Sequence, residues 1–278
     1  MTGNEALRSA IPRLAAAGVT DAPRDARVLL AYATGIAPDR LTLHLADPLT
    51  TAAAQAFDTA ITRRAAREPV SHITGRRLFW GRSFRVTPDT LDPRPETEIL
   101  VHAALSEPFS RMLDLGAGTG CILLSCLADR PQARGLGTDI HPATLAVAAA
   151  NAQTHGLTAR AEFILSDWLA AVTGTYDLIV SNPPYIAASE MPALSPEVQH
   201  EPHRALTPGG DGLDAYRTIA REAPAHLAEG GRLIVEIGPT QAKTVTALFA
   251  DAGLADLVIL PDLDGRDRVI VARRLLTP

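Results

Sequence analysis

Asn182-Pro183-Pro184-Tyr185 is a set of residues that could receive a planar group bearing an NH2. The run Tyr176-Asp177-Leu178-Ile179-Val180-Ser181 before it reads as a buried strand, so the four stand where that strand ends. Pro183 holds Asn182 out of the α region, and Pro184 does the same to Pro183. Neither proline has an N–H, so their carbonyls face outward with no local donor competing. The expected result is a rigid group of acceptors beside one side-chain amide, with the Tyr185 ring as a flat apolar face. An isolated Pro-Pro would read as a stiff exposed turn. Four such residues after a strand, in a chain that alternates strands and helices, argue for a receptor.

A second group points to an adenosine. Gly116, Ala117, Gly118, Thr119 and Gly120 follow the strand Met112–Leu115 and open a helix. Glycines there allow a tight turn and close backbone approach to a ligand. Asp139 ends the next strand, about twenty residues past the turn, where a carboxylate accepts from both ribose hydroxyls and repels a 2′-phosphate. Asp167-Trp168 follows a third strand. There an acidic residue can meet an adenine amino group and an indole can lie against its ring. No catalytic base is arranged for hydride transfer, and the turn lacks the Lys-Ser/Thr ending of a phosphate loop. An amino-group receptor beside an adenosine site fits methyl transfer from S-adenosylmethionine. No metal is needed, because the leaving group is a neutral thioether. His141, His200 and His203 lack ligand spacing and read as structural.

The elements that must position these groups are legible in outline. Leu7, Ile11, Leu14 and Ala15 have helical spacing, as do Ala26, Leu29, Leu30 and Ala33. Ala52 to Ala66 reads as a third helix with Thr50 or Thr51 as cap. Ile73, Arg77 and Phe79, then Phe84 and Val86, flank Trp80-Gly81-Arg82 as a short hairpin. Pro88, Pro93 and Pro95 mark a stiff approach. From residue 92 strand and helix alternate, which predicts an α/β fold with a mostly parallel sheet and helices on both faces. Sites in such sheets lie outside the carboxyl ends of the strands, where each group above falls. The expected division is a helical domain over 1–70, a hairpin and linker over 71–91, and the larger domain over 92–278.

Composition narrows the partners. The 278 residues carry 26 Lys+Arg against 31 Asp+Glu, a net charge of −5 that offers no broad attraction for a polyanion. Cys121 and Cys126 lie on one predicted helix at a separation that does not suit a disulfide, so they read as reduced core residues of a cytoplasmic protein. No basic leader with an apolar core opens the chain, and no apolar run reaches membrane length.

On these residues the chain resembles the HemK/PrmC family of protein-(glutamine-N5) methyltransferases. Arg67-Glu68-Pro69-Val70 to Ile73-Thr74-Gly75 and Phe79-Trp80-Gly81 with Phe84-Arg85-Val86 match its segments around the hairpin. Arg94-Pro95-Glu96-Thr97-Glu98 matches the signature that links its domains. The Gly-rich turn, Asp139, Trp168 and Asn182-Pro183-Pro184-Tyr185-Ile186 match its site. Glu201-Pro202, Asp211-Gly212-Leu213 and Glu236-Ile237-Gly238 with Gln241 match its later blocks. The resemblance implies a seven-stranded Rossmann-like (class I) methyltransferase sheet. It implies Asn182, Pro183, Pro184 and Tyr185 as the substrate loop, and Gly116 to Gly120, Asp139, Trp168 and Asn182 around S-adenosylmethionine. The implied substrate is the glutamine of the Gly-Gly-Gln motif in class 1 peptide chain release factors, held partly by the helical domain, with no membrane and no stable nucleic acid partner. An N6-adenine or N4-cytosine DNA methyltransferase, which uses a similar loop on a flipped base, is the alternative. The flanking blocks and the absence of a large basic domain stand against it. Glu96 and Glu98 read as first-turn helix residues, and Arg63, Arg64, Arg67, Arg76, Arg77 and Arg82 could guide an acidic or RNA-like surface.

Overall fold

The structure, a computed structural model, describes residues 1–275. It divides into two compact units: Met1–Arg76 with Ser195–His200, and Arg77–Leu194 with the remainder from Glu201. Among the described residues no helix is long and apolar enough to cross a membrane.

The first unit is helical. Helix α1 (Gly3–Ala16) begins in a reciprocal cap, with Thr2 Oγ1 accepting from the Glu5 N–H and Glu5 accepting from the Thr2 N–H. Helix α2 (Ala22–Thr34) carries its proline in the first turn, and α3 (Thr51–Ala65) is capped by Thr50. Leu14, Leu29, Leu30 and Ile61 are fully buried between them, each contributing about 1.5–3 kcal/mol by burial. Ala15 is exposed, so the buried stripe of α1 runs through Ala6, Leu7, Ala10 and Leu14. Ile73 belongs to a short helix, α4 (Val70–Thr74), and not to the hairpin; its side chain is worth more in the helical core than on a two-stranded ribbon.

The segment Ser195–His200 is bound into this unit by charge. Arg67 grips both carboxylate oxygens of Glu197 at 2.7 Å each, and Arg64 adds a bond at 3.0 Å while also holding Asp25. Arg63 pairs with Glu68. In the second unit Arg77 lies 3.6 Å from Asp92 and Arg82 pairs with Asp129. The arginines expected to face a partner are therefore largely neutralised by the chain's own carboxylates.

The second unit opens with the hairpin β1 (Arg76–Phe79) and β2 (Arg82–Arg85). Trp80 and Gly81 both have positive φ, 50° and 67°, as a two-residue turn of matching twist requires. A tryptophan in that conformation is strained, and two bonds hold it. Its N–H donates to Glu98 at 2.7 Å and its indole N–H to Asp129 at 2.7 Å. Glu98 thus starts helix α5 (Glu98–Leu105) and pins the hairpin at once.

The main sheet has seven strands, β3 (Arg111–Leu115), β4 (Arg134–Asp139), β5 (Ala161–Leu165), β6 (Tyr176–Ser181), β7 (Leu227–Glu236), β8 (Leu254–Pro261) and β9 (Asp267–Arg274). Their order is β5-β4-β3-β6-β7-β9-β8, parallel except for β9, which runs antiparallel to both its neighbours. Alternate side chains serve opposite faces. Met112, Leu178 and Val180 join the core with α5 and α6 (Cys121–Asp129). Leu113, Leu115 and Ile179 join the core on the other face, with α9 (Asp214–His226) and α10 (Ala242–Asp251). Helices α7 (Pro142–Thr154) and α8 (His203–Leu206) complete the set. Cys121 and Cys126 are buried free thiols on α6.

The Glu197 clamp gives a first expectation. The Arg67 hydrogen bonds hold its carboxyl down to about 2, with Arg64 assisting. A depressed carboxyl stabilises the fold above its unfolded value and loses that contribution as pH falls through the folded value. Urea unfolding should show Glu197→Gln destabilised by about 1–3 kcal/mol at pH 7, with the gap to wild type narrowing at pH 3.

Candidate active site

The carboxyl ends of β5, β4, β3 and β6 open on one cleft. Gly116 and Gly118 line it after β3, Asp139 and Ile140 after β4, Ser166, Asp167 and Trp168 after β5, and Asn182 and Pro184 after β6. Asp89, Thr90 and Leu91, Thr144, and Arg204 with Ala205 complete its wall. Of these the chain pattern pointed to Gly116, Gly118, Asp139, Asp167, Trp168, Asn182 and Pro184. Ala117, Thr119, Gly120, Pro183 and Tyr185 do not line the cleft. They stand in the same turn and loop as the lining residues.

The Gly-rich turn has φ of 70° at Gly116 and 56° at Gly118, and a Cβ at Gly116 would meet nothing. Glycine is needed there for the backbone conformation, and its bare surface faces the cleft. The Ala117 N–H donates to the Thr138 carbonyl at 2.8 Å, which fixes the turn against β4. Asn151 of α7 holds the buried Thr119 carbonyl at 2.9 Å. Asp139 accepts from the Gly118 N–H at 3.2 Å and the His141 N–H at 3.0 Å, one on each oxygen, leaving each with a further lone pair. Burial raises its carboxyl above the usual range against those two N–H groups and Arg204. Asp114, one strand in, is fully buried and pushed up to about 7 by burial; one oxygen takes the Leu123 N–H and the other has no partner. The half-buried Trp168 has φ of 48°, which turns the chain sharply at the cleft wall.

The Asn182 loop is held from three sides. Ser181 Oγ donates to the Leu115 carbonyl at 2.8 Å, locking the end of β6 to β3. Asn182 Nδ2 donates to Thr97 Oγ1 at 3.2 Å. The Tyr185 hydroxyl reaches Glu236 at 3.4 Å, and its carbonyl accepts from Gln241 Nε2 at 2.8 Å. Burial raises the Tyr185 phenol beyond its ordinary value, so it stays protonated. Below the loop, a Cβ on Gly212 would lie 2.4 Å from the Tyr185 carbonyl oxygen, and φ there is 79°. The buried Glu201 accepts from the Asp92 N–H at 3.1 Å and pairs with Arg94, tying the block after the loop to the approach to α5. Thr97, Glu201, Glu236 and Gln241 carry the loop, and their sequence signal was only that they stood in matching blocks.

A family profile described as PrmC N-terminal domain matches residues 5–75, and one described as Methyltransferase small domain matches residues 89–213. The release factor glutamine methyltransferase of Cereibacter sphaeroides is 63% identical over 98% of this chain and 99% of its own length. This chain belongs to the release factor glutamine methyltransferase family. Another member, from Rhodospirillum rubrum, is 49% identical over 94% of this chain and 82% of its own. Among solved structures, a methyltransferase from Pyrococcus furiosus aligns with a TM-score of 0.54 at 14% identity, covering 69% of this chain and 89% of that one. A T. thermophilus 16S rRNA methyltransferase in complex with AdoMet and guanosine aligns at 0.53 and 19%, covering 72% and 49%. These two share the sheet architecture.

Because Gly212 seats the loop, its substitution is diagnostic. Gly212→Ala should destabilise the protein by about 1–3 kcal/mol through the backbone clash and the positive φ. Urea unfolding measures that cost. The same variant at Gly156, whose Cβ would meet nothing, controls for positive φ alone and should cost less.

Proposed function

We propose that this chain transfers a methyl group from S-adenosylmethionine to the side-chain nitrogen of the glutamine in the Gly-Gly-Gln motif of class 1 release factors. The observation that carries the reading is that Asn182 shares one cleft with Gly116, Gly118, Asp139 and Trp168. Family membership names the substrate class. The residues fit the donor: the glycine turn gives bare backbone for close approach, Asp139 keeps a lone pair on each oxygen for the ribose hydroxyls, and Trp168 with Ile140 offers apolar surface for the base. S-adenosylmethionine, when bound, supplies an electrophilic sulfonium methyl group.

The protein's part is to make a poor nucleophile usable. An amide nitrogen has its lone pair delocalised into the carbonyl. Asn182 Oδ1 and the Pro183 carbonyl accept the two N–H bonds of the glutamine amide, which orients its nitrogen and favours charge build-up on it. As the nitrogen forms its bond to the methyl carbon, the carbon–sulfur bond breaks and its electron pair stays on sulfur as a thioether. The nitrogen then has one proton in excess, and the acceptor oxygens hold that proton until water takes it. Two glycines before the glutamine let the substrate backbone enter without side-chain clashes. The protein acts in translation termination on this reading, in the cytoplasm.

Calorimetry should show Asp139→Ala weakened for S-adenosylmethionine by about 1.5–3 kcal/mol. Unchanged affinity would remove Asp139 from the site. Asn182→Ala at saturating donor should lose turnover by about 10²–10³-fold, read with labelled donor and mass mapping of a purified release factor. Unmethylated DNA is offered in parallel. Label on DNA and none on the release factor would overturn the substrate.

A further inference from the structure

An asparagine side chain has nearly the same shape with its oxygen and nitrogen exchanged, so something must decide which atom of Asn182 faces the cleft. The decision lies in a buried chain of hydrogen bonds. Thr97 is 2% exposed, at the end of the 3-10 turn Pro95–Thr97. Its hydroxyl lies 2.6 Å from Oε2 of Glu236, which is 1% exposed at the end of β7. A hydroxyl has one proton. With Glu236 ionised, that proton goes to the carboxylate, and Thr97 Oγ1 can then only accept. The group of Asn182 that meets Thr97 must therefore be its NH2, which leaves Oδ1 free. Tyr185 completes the arrangement by directing its hydroxyl to the other Glu236 oxygen at 3.4 Å.

Resting on the proposed role of Asn182, we infer that Thr97 and the Glu236 carboxylate are positioning residues that set the polarity of Asn182 and keep its oxygen, not its NH2, toward the substrate amide. If the chain reversed, Asn182 would present two donors to a substrate that also presents donors. The reversal needs only a proton. A protonated Glu236 donates to Thr97 Oγ1, the threonine proton turns to Asn182, and the amide must then offer its oxygen inward. The titratable and polar groups near Glu236 are Thr97 and Glu96 from the turn before α5, Tyr185 from the loop, Arg268 from β9, Tyr216 from α9 and Cys121 from α6. Burial outweighs the ionising influence of Thr97, Arg268 and Tyr185, and Glu96 adds to it, so the carboxyl is pushed up to about 7. On the inference, the polarity changes as Glu236 takes up its proton.

The test uses the full chain, a purified release factor and labelled donor, with kcat, KM and cofactor affinity measured from pH 6 to 9. Thr97→Val removes the hydroxyl and keeps the shape. It should lose kcat by about tenfold or more with cofactor affinity unchanged, and Thr97→Ser should recover most of it. Wild-type kcat should rise with pH through about 7, and Glu236→Gln, which cannot ionise, should flatten that rise. Thr97→Val at the wild-type kcat, Thr97→Ser as impaired as Thr97→Val, or an unchanged rise in Glu236→Gln would each overturn the inference while leaving the Asn182 reading intact. Asn182→Ala at full turnover would overturn both. Glu236→Gln is informative on its own should the valine variant fail to fold.

Discussion

The cleft depends on strand register. Leu115 of β3 pairs with Thr138 of β4 on one side and with Ser181 of β6 on the other, and Asp139 pairs with Leu165 of β5. Gly116, Asp139 and Asn182 are each one residue beyond that paired row. A slip of one residue in any strand would exchange its faces and carry its group to the wrong side of the sheet. The apolar alternation prevents this, since Leu113, Leu115 and Ile179 would leave one core and crowd the other. The buried Ser181 hydroxyl on the Leu115 carbonyl fixes the row at its end. Core packing and chemical placement are therefore one constraint.

What could be read from the residues follows from how local their physics is. The Gly-rich turn, Asp139 and the Pro-Pro loop are determined within a few residues by backbone freedom or its loss, and the structure puts Gly116, Gly118, Asp139, Asn182 and Pro184 on the cleft. Strand–helix alternation gave the sheet for the same reason. Thr97, Glu236 and Gln241 act across separations of 51 to 139 residues, and a lone threonine or glutamate has no pattern to announce such a bond. Ile73 failed as a strand residue because five residues are too few to show a helical period, and only the core it enters decides its state. The arginines near residue 70 showed charge without showing the carboxylates that meet it. Glu197 lies 130 residues from Arg67, and no composition argument reaches it.

Buried carboxylates around the cleft describe its preferred ligand charge. Burial raises both Asp114 and Asp139, and the Asp139 charge raises Asp114 further. Such a pair disfavours a ligand with anionic phosphates and favours one that brings positive charge into a poorly solvated space. A sulfonium does that, and it would draw both carboxyls back toward their ionised forms. Arg204 lines the same cleft and works the other way, favouring the ionised form of Asp139.

Methyl transfer changes that balance. The proposed reaction converts a sulfonium into a neutral thioether, so any attraction between the ligand and Asp139 would fall as the product forms. On the proposed mechanism the acceptors at Asn182 face the other half of the exchange, where the amide nitrogen carries excess positive charge until it loses a proton. On that mechanism one end of the cleft meets a cation that disappears and the other meets one that appears. On the inference drawn above, the hydrogen-bond chain from Asn182 through Thr97 to Glu236 sets the orientation of the acceptor from two side chains away. Glu236 in direct contact with the substrate would instead be a base and would exchange protons with water through the open cleft. On that inference Glu236 acts on the reacting nitrogen only through Thr97 and Asn182, so it orients the acceptor and takes no proton from the substrate itself.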